Sequence, residues 1–261
     1  MKYSIKPLLQ ASLPLYAILL GSVWFLSPEF LACSKDSVWC SVFYWITESA
    51  GRAGTPLIVL AAGIFYAINA PSAGAKAKAF FRTFLVLFII LFVFAFVNEY
   101  GIKPALQRAR PSHTYILEQT HSTARLDSIY TLPESDRRIF FQQLIQSDTL
   151  SFGKIDKRVL DHWIYEAGSS FPSGHSFNAF LLASILAFSI YYSGTRIKWF
   201  YSLPLIWAVL VGFSRVALGV HSALDVSAGA ALGLIVSHTL LSFSVTQKLL
   251  IPNKRPDLHT P

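Results

Sequence analysis

Long apolar runs dominate the pattern of this chain. Residues 84–97 contain no polar side chain, and the run extends back to residue 79 with only Arg82 and Thr83 interrupting it. A helix needs about 20 such residues to cross the hydrocarbon core of a bilayer. Further apolar runs occupy residues 8–26, 55–70, 176–192, 199–213 and 223–245. The pattern therefore predicts an all-α membrane protein with six transmembrane helices.

Two apolar segments need a separate interpretation. Residues 38–47 are rich in aromatic side chains but too short to span, so we expect them to lie at the membrane surface, where aromatic residues collect. Lys2 and Lys6 precede the first run, as in a secretory signal peptide. That run is longer than the apolar core of a signal peptide, so we expect a retained first helix.

Composition and charge agree with a membrane location and predict an orientation. Hydrophobic residues make up 53% of the 261 residues and charged residues only 14%, about half the share usual in soluble domains. With the N-terminus inside, the short inner loops at 71–82 and 193–199 hold five basic residues and no acid. Short cytoplasmic loops carry such an excess, so both termini are predicted to be cytoplasmic. The net charge of +8 then reflects orientation in the bilayer, and nucleic acid is not expected as a partner.

The longest polar segment, residues 101–171, falls on the outer side between the third and fourth predicted spans. We call it the insertion. Within 134–148 and 155–167, apolar side chains recur at helical spacing, which predicts two short helices. They are Ile139, Phe140, Leu144 and Ile145 in the first, and Val159, Leu160, Trp163 and Ile164 in the second. We expect residues 1–261 to form one membrane domain, with the insertion as a small helical cap.

The two cysteines, Cys33 and Cys40, fall in the first predicted outer loop. The outer side of a bacterial inner membrane is oxidising, so a disulfide between them is one alternative. Two buried or interfacial thiols are the other alternative, and we favour it.

Three polar patches interrupt the apolar pattern near the ends of predicted spans. The first holds Lys103 and Arg110, the second runs from Pro172 to His175, and the third runs from Ser214 to Asp225. The second and third are separated by forty residues, enough for two crossings, so they lie on one side of the membrane. The first joins them because the insertion begins and ends there.

The residue types in these patches suit phosphoryl transfer. Lys103, Arg110 and Arg215 can neutralise a phosphate dianion. Ser173 and Gly174, at the start of a helix, offer free backbone N–H groups and the positive end of the helix dipole. Ionised charges near span ends are costly, which favours a functional purpose over an anchoring one.

Two histidines and a carboxylate complete the set. His221 and Asp225 are four residues apart, so on a helical turn the carboxylate can hold one imidazole nitrogen and leave the other free to attack phosphorus. His175 can protonate the leaving oxygen. These arguments leave open which histidine attacks. We expect the nearby cations to lower the pKa of both imidazoles, with Asp225 opposing this effect at His221.

In their order and spacing, these residues resemble the type-2 phosphatidic acid phosphatase superfamily. Its pattern is Lys-x6-Arg-Pro, then Pro-Ser-Gly-His, then Ser-Arg-x5-His-x3-Asp, and this chain matches every specified position. The stretches at 100–118 and 129–132, with His162, Trp163 and Glu166, look like the bacterial phosphatidylglycerophosphatase B group. A cap helix on the surface explains His162 and Glu166 equally well, so we leave both out of the predicted catalytic set.

The resemblance implies roles for the matched residues. His221 would be the nucleophile, Asp225 its orienting partner and His175 the general acid. The phosphate-binding residues would be Lys103, Arg110, Ser173, Gly174 and Arg215. It further implies a reaction through a phosphohistidine, without metal or cofactor, on a site that faces the periplasm.

The implied substrates are lipid phosphates such as phosphatidylglycerophosphate and phosphatidate. Undecaprenyl pyrophosphate is the alternative within the superfamily, because the motifs contact only phosphate. A membrane protein that merely binds lipid phosphates is an alternative of another class. A pure binder needs the cations but neither histidine, so we favour the enzyme.

Overall fold

The computed structural model describes residues 3–26, 28–31, 33–68, 70–193 and 198–250. A π-helical turn at Asn98–Ile102 continues α4 into α5, and a 3-10 turn at Lys198–Ser202 precedes α12. Within these ranges the only strand-like pairing is an isolated bridge between Ser34 and Ile155, so the all-α class is confirmed. In chain order, the helices are α1 (Lys6–Phe25), α2 (Val38–Ser49), α3 (Gly54–Ile68), α4 (Ala73–Val97), α5 (Lys103–Leu106), α6 (Pro111–Gln119), α7 (Leu126–Thr131), α8 (Glu134–Ser147), α9 (Thr149–Phe152), α10 (Lys157–Tyr165), α11 (Gly174–Tyr192), α12 (Leu203–Ala217), α13 (Ala223–Ser242) and α14 (Ser244–Leu250).

In the described part of the chain, five helical stretches are long and apolar enough to cross a membrane. They are Lys6–Phe25, Ala73–Leu106, Gly174–Tyr192, Trp199–Ala217 and Ala223–Ser242. The helices α2 and α3 meet the same criterion only as a pair, bent by 59° at a short break. Counting that pair as one broken span gives six, so the six-span arrangement and its orientation stay predictions. The predicted surface segment 38–47 is the first half of this bent pair.

At the centre of the bundle, α11 packs against α12 and α13. Where α13 crosses the start of α11, a Cβ on Gly229 would lie 2.3 Å from the carbonyl oxygen of Ser173, so only glycine fits. Small residues allow helix backbones to approach in this way within membranes. This close contact brings the second and third polar patches together.

On the outside of the bundle, α4 presents an apolar face. Its phenylalanines at every fourth position, from Phe80 to Phe96, stack with ring centroids 6.0–6.3 Å apart. Phe88, Phe92 and Phe96 are more than half exposed. Such a face is typical of a helix in contact with lipid.

The helices of the insertion pack in a second hydrophobic core, which also includes Cys33, Cys40, Ala217, Leu218 and Val220. Its buried members include Ile116, Ile129, Phe141, Ile145, Phe152, Val159 and Trp163. The predicted helices at 134–148 and 155–167 correspond to α8 and α10, whereas α6, α7 and α9 were not predicted. Ile139, which was expected on the buried face of α8, is 55% exposed. The buried face of α8 is instead centred near Phe141, whose ring stacks on His113 with centroids 4.0 Å apart.

The two ends of the insertion are tied to each other. The backbone N–H of Ser170 donates to the carbonyl oxygen of Arg108 at 2.9 Å, and its hydroxyl donates to the carbonyl oxygen of Ala109 at 3.1 Å. The insertion therefore leaves and rejoins the bundle at one point.

Cys33 and Cys40 are both free and buried. The disulfide alternative is therefore not realised in this structure, and the thiol alternative is. Burial, together with the neighbouring Cys40, raises the pKa of the Cys33 thiol to about 12, so this thiol is not reactive near neutral pH.

Candidate active site

The start of α11 is shaped by Ser173 and Gly174. The Ser173 hydroxyl accepts from the backbone N–H of Ser176 at 3.4 Å, and the Ser173 N–H donates to the carbonyl oxygen of Asp225 at 3.0 Å. A Cβ on Gly174 would lie in ordinary contact, 3.6 Å from the side-chain nitrogen of Asn98. Within the part of the chain that the structure describes, no neighbouring atom therefore requires glycine at position 174.

A tight turn between α12 and α13 places His221 next to Arg215. Gly219 has φ of +68°, and a Cβ there would lie 2.2 Å from the ring of Phe30, so the position suits glycine alone. The turn directs the backbone N–H groups of Val220 and His221 to the carbonyl oxygen of Arg215, at 3.1 and 3.2 Å.

Arg110 fixes the hydrogen-bonding state of His221. Its Nη1 lies 3.2 Å from His221 Nε2, and a guanidinium can only donate. The Nε2 atom therefore carries the lone pair, and the ring proton sits on Nδ1. That proton faces Asp225 Oδ2, with the two heavy atoms 3.6 Å apart, longer than a formed hydrogen bond.

The pKa of His221 is lowered to about 3, chiefly by burial and then by the charge of Arg110. Asp225 opposes this shift, as expected, but the main cause differs from the prediction, which named the cations alone. His221 is 2% exposed, and an imidazolium there would lose its hydration. His221 is therefore neutral in the empty site near neutral pH.

Asp225 is positioned differently from the expected helical turn. His221 lies before α13, and Ser222 is the N-cap of that helix. Asp225 Oδ2 accepts from the Ser222 N–H at 2.8 Å, while the Asp225 N–H donates to the Ser222 hydroxyl at 3.3 Å. This capping box orients the carboxylate toward His221.

Glu166 lies among the predicted phosphate-binding cations, although it was left out of the predicted set. Its Oε2 lies 2.8 Å from Arg110 Nη1 and 2.6 Å from Arg215 Nη2. Burial alone would raise the pKa of Glu166, yet Arg215 and Arg110 hold it well below its usual range. His162 also joins the cluster, with Nε2 accepting from Arg215 Nη1 at 2.8 Å. Glu166 is thus an ionised carboxylate that neutralises two cations of the empty site.

His175 and Lys103 line the same cavity, which has a volume of about 1080 Å³. His175 Nδ1 lies 3.9 Å from Glu166 Oε1. Lys103 Nζ pairs with Glu99 Oε2 at 2.7 Å on the wall formed by the end of the α4 stretch. Glu99 is therefore the partner of a predicted phosphate-binding residue.

A buried chain of hydrogen bonds in the insertion holds the backbone of Arg110. The Arg110 N–H donates to the Tyr130 hydroxyl at 3.1 Å, and that oxygen lies 2.8 Å from His113 Nδ1. Burial, followed by Arg110, lowers the pKa of His113 to about 3, so this imidazole is neutral. Its Nε2 faces the Trp163 carbonyl oxygen at 3.4 Å, so Nε2 carries the proton and Nδ1 accepts from Tyr130.

Comparison with known proteins identifies the family. The model described as PAP2 superfamily matches residues 82–249, more than half of the chain. The chain therefore belongs to the PAP2 superfamily, the family that its motifs resemble. Family membership and five or six apolar helices together make it a multi-pass membrane protein.

The chain is similar to several curated relatives. Phosphatidylglycerophosphatase B of Bacillus subtilis (strain 168) is 35% identical over 111 residues, which cover 36% of this chain and 55% of that protein. Phosphatidylglycerophosphatase B of Escherichia coli (strain K12) is 30% identical over 178 residues, covering 68% of this chain and 65% of that protein. Undecaprenyl-diphosphatase of Sulfolobus acidocaldarius is 46% identical over 68 residues, covering 26% and 30%. The chain thus spans less than two thirds of the length of these relatives.

Proposed function

We propose that this protein is an integral membrane phosphatase that hydrolyses phosphate monoesters of lipids such as phosphatidylglycerophosphate and phosphatidate. The lining of the cavity carries this proposal. It combines Arg110, His175 and His221 with apolar side chains of α3, α4 and α11. These are Val59, Phe84, Phe88, Leu91, Phe92 and Phe177. A lipid phosphate has the same two-part chemistry, a charged headgroup on an apolar chain.

In the proposed first step, the lone pair of His221 Nε2 attacks phosphorus. The P–N bond forms while the bond from phosphorus to the lipid oxygen breaks, and His175 gives its proton to that oxygen. Asp225 stabilises the positive charge that develops on the imidazole. Arg110 Nη1, which hydrogen-bonds Nε2 in the empty site, must turn toward a phosphate oxygen to release it.

In the proposed second step, water attacks the phosphohistidine. The new P–O bond forms as the P–N bond breaks, and His175 takes the proton from water. Inorganic phosphate leaves, and both histidines return to their starting states. Arg110, Arg215, Lys103, the Ser173 hydroxyl and the Gly174 N–H are proposed to hold the phosphate oxygens throughout. The Ser173 N–H, which the sequence predicted to be free, already donates to the Asp225 carbonyl oxygen. No step is assigned to a metal or cofactor.

Undecaprenyl pyrophosphate is a second candidate substrate. The relative named undecaprenyl-diphosphatase, with 46% identity over its matched stretch, supports it. The binding-only alternative is less well supported, because His221 carries its lone pair on Nε2 and has a carboxylate facing Nδ1, neither of which a binder needs.

The test combines phosphate release with trapping of the covalent intermediate. Purified protein is incubated with labelled phosphatidate and denatured at alkaline pH, where phosphohistidine survives. We expect label in the wild type and none in His221→Ala. His121→Asn is a matched control, since His121 is exposed and lies in a left-handed turn that asparagine tolerates.

Leaving-group dependence separates the two histidines. Lipid alkoxides are poor leaving groups that need protonation, whereas p-nitrophenolate needs little. General-acid help is worth about 10²–10⁴ in rate, so His175→Ala is expected to lose far more activity on phosphatidate than on p-nitrophenyl phosphate. His221→Ala is expected to be inactive on both. Label retained in His221→Ala and lost in His175→Ala would reverse the two roles.

A further inference from the structure

A second cationic position lies on the cavity wall, apart from the groups assigned to the transferred phosphate. The guanidinium carbons of Arg52 and Arg138 lie 4.2 and 4.7 Å from the centre of the same ring, that of Tyr165. All three residues line the cavity that holds His221. Because both guanidinium groups make a cation–π contact with the same ring, the ring holds two positive charges at one position on the cavity wall.

Only part of this positive charge is neutralised by the protein. Arg138 pairs with Glu134, with Nη2 and Oε1 2.5 Å apart. Arg52 has no carboxylate oxygen within 4.0 Å in the described part of the chain. Lys103, which also lines the cavity, is paired with Glu99. Arg52 is therefore available to an anion that enters the cavity.

The position of Arg52 relates it to one side of the reaction. Arg52 follows Gly51, where a Cβ would lie 3.4 Å from His175 Nε2. Tyr165 directly precedes Glu166, whose Oε1 is 3.9 Å from His175 Nδ1. Arg52 and Tyr165 are therefore the chain neighbours of Gly51 and Glu166, the two residues that lie next to His175. Since adjacent Cα atoms are about 3.8 Å apart, both side chains start close to His175. In the proposed mechanism, His175 protonates the leaving oxygen, so Arg52 stands on the leaving-group side.

Candidate substrates differ in the charge of their leaving groups. Phosphatidate releases diacylglycerol, which is uncharged. Phosphatidylglycerophosphate releases phosphatidylglycerol, which carries a phosphodiester, and undecaprenyl pyrophosphate releases undecaprenyl phosphate. A guanidinium fork matches two oxygens of a phosphate group, and the Tyr165 ring holds the fork in place.

We propose that Arg52, stacked on Tyr165 beside Arg138, binds a second phosphate group in the leaving group of the substrate. This inference rests on the proposed function and adds a preference to it. Lipids that carry two phosphates in the headgroup are better substrates than phosphatidate, and Arg52 supplies the difference.

The experiment compares kcat/KM on phosphatidylglycerophosphate, undecaprenyl pyrophosphate and phosphatidate for wild type and Arg52→Gln. We expect the ratio of a two-phosphate lipid to phosphatidate to fall about tenfold in Arg52→Gln, as for one lost charge-assisted hydrogen bond. Tyr165→Leu, which removes the ring, is expected to lower the same ratio. Arg125→Gln is the matched control, because Arg125 is exposed and does not line the cavity.

Each outcome has a defined consequence. A fall with phosphatidylglycerophosphate alone assigns the bound group to a phosphodiester, and a fall with undecaprenyl pyrophosphate alone assigns it to the lipid-linked phosphate of a pyrophosphate. Ratios that stay the same for both lipids overturn the inference. So does a wild type that hydrolyses phosphatidate and neither two-phosphate lipid, although the proposed function then stands. A wild type inactive on all three lipids overturns the proposed function itself.

Discussion

Replacing Glu166 with glutamine tests whether this carboxylate competes with phosphate for the arginines. Glu166 Oε2 lies within 2.8 Å of nitrogens from both Arg110 and Arg215, and Arg215 is fully buried. Glutamine keeps the size and one acceptor oxygen but removes the charge. A hydrogen bond to a charged group contributes about 1.5–3 kcal/mol, so we expect Glu166→Gln to be less stable than wild type by about that amount in the empty state.

The same change is expected to strengthen anion binding. With an effective dielectric constant of about 20 and a separation of about 5 Å, a carboxylate and one phosphate charge repel by about 3 kcal/mol. Removing this repulsion corresponds to roughly a hundredfold tighter binding. Orthovanadate, which adopts the geometry of the attacked phosphorus, is the suitable probe.

Two measurements follow from this reasoning. Thermal unfolding in detergent is recorded with and without orthovanadate, and the inhibition constant of orthovanadate is measured with p-nitrophenyl phosphate wherever turnover remains. We expect Glu166→Gln to melt lower than wild type when empty, to recover the difference with orthovanadate, and to bind it more tightly. Glu118→Gln, an exposed site outside the cavity, is the control. Weaker orthovanadate binding in Glu166→Gln would refute the competition, since Glu166 would then support the phosphate site.

Four further predictions address orientation, metal use, positioning and acid stability. Ser147→Cys, with Cys33 and Cys40 replaced, is expected to react with impermeant maleimide in intact spheroplasts; labelling only after lysis would place the insertion inside. Activity is expected to survive EDTA, and a loss that a divalent ion restores would contradict the mechanism. Tyr130→Phe leaves the buried Arg110 N–H and His113 Nδ1 without their partner, so thermal stability is expected to fall by about 1–3 kcal/mol and KM for p-nitrophenyl phosphate to rise several-fold; an unchanged KM would dismiss this positioning role. His113 has a pKa of about 3 when folded and near 6.5 when unfolded, so its contribution to the free energy of unfolding is complete above pH 6.5. That contribution is lost as the pH falls toward 3, by at most about 1.4 kcal/mol per pH unit. Thermal unfolding of His113→Gln is expected to show a shallower pH dependence than that of the wild type, and an equal slope would contradict this.

The sequence could predict that the three polar patches lie close together, because the predicted membrane spans between them place the patches on one side of the membrane. Two crossings between Gly174 and Ser214 return the chain to the same surface, whatever the details of packing. The structure indeed places Arg110 within hydrogen-bonding distance of His221, and Arg110 and Arg215 within that distance of Glu166. The boundaries of the helices moved by a few residues, because turns and caps rather than hydropathy decide where a helix ends.

The position of Glu166 between Arg110 and Arg215 could not be predicted in the same way. His162 and Glu166 are four residues apart on a short amphipathic helix, a spacing that also describes an ordinary surface pair. His162 and Glu166 contact Arg215 only because the insertion folds over the end of α12. The bend between α2 and α3 was missed for a related reason. Apolar content does not show that Gly51 would lie against His175.

The hydrogen bonds from Ser170 to Arg108 and Ala109 have a consequence for variation among related chains. They close the insertion at its base, so its two ends stay fixed, whereas Leu150, farther along the chain, is exposed. Just beyond Leu150, Lys154 and Asp156 are hydrogen-bonded to the backbone of residues 33–35, so the insertion is held there as well. Loops closed in this way tolerate added or deleted residues at the far end at small entropic cost. We therefore expect related chains to vary in length near the exposed Leu150, whereas a single residue gained or lost between Arg108 and Arg110, or between Glu166 and Ser170, would shift Arg110 or Glu166 relative to His221.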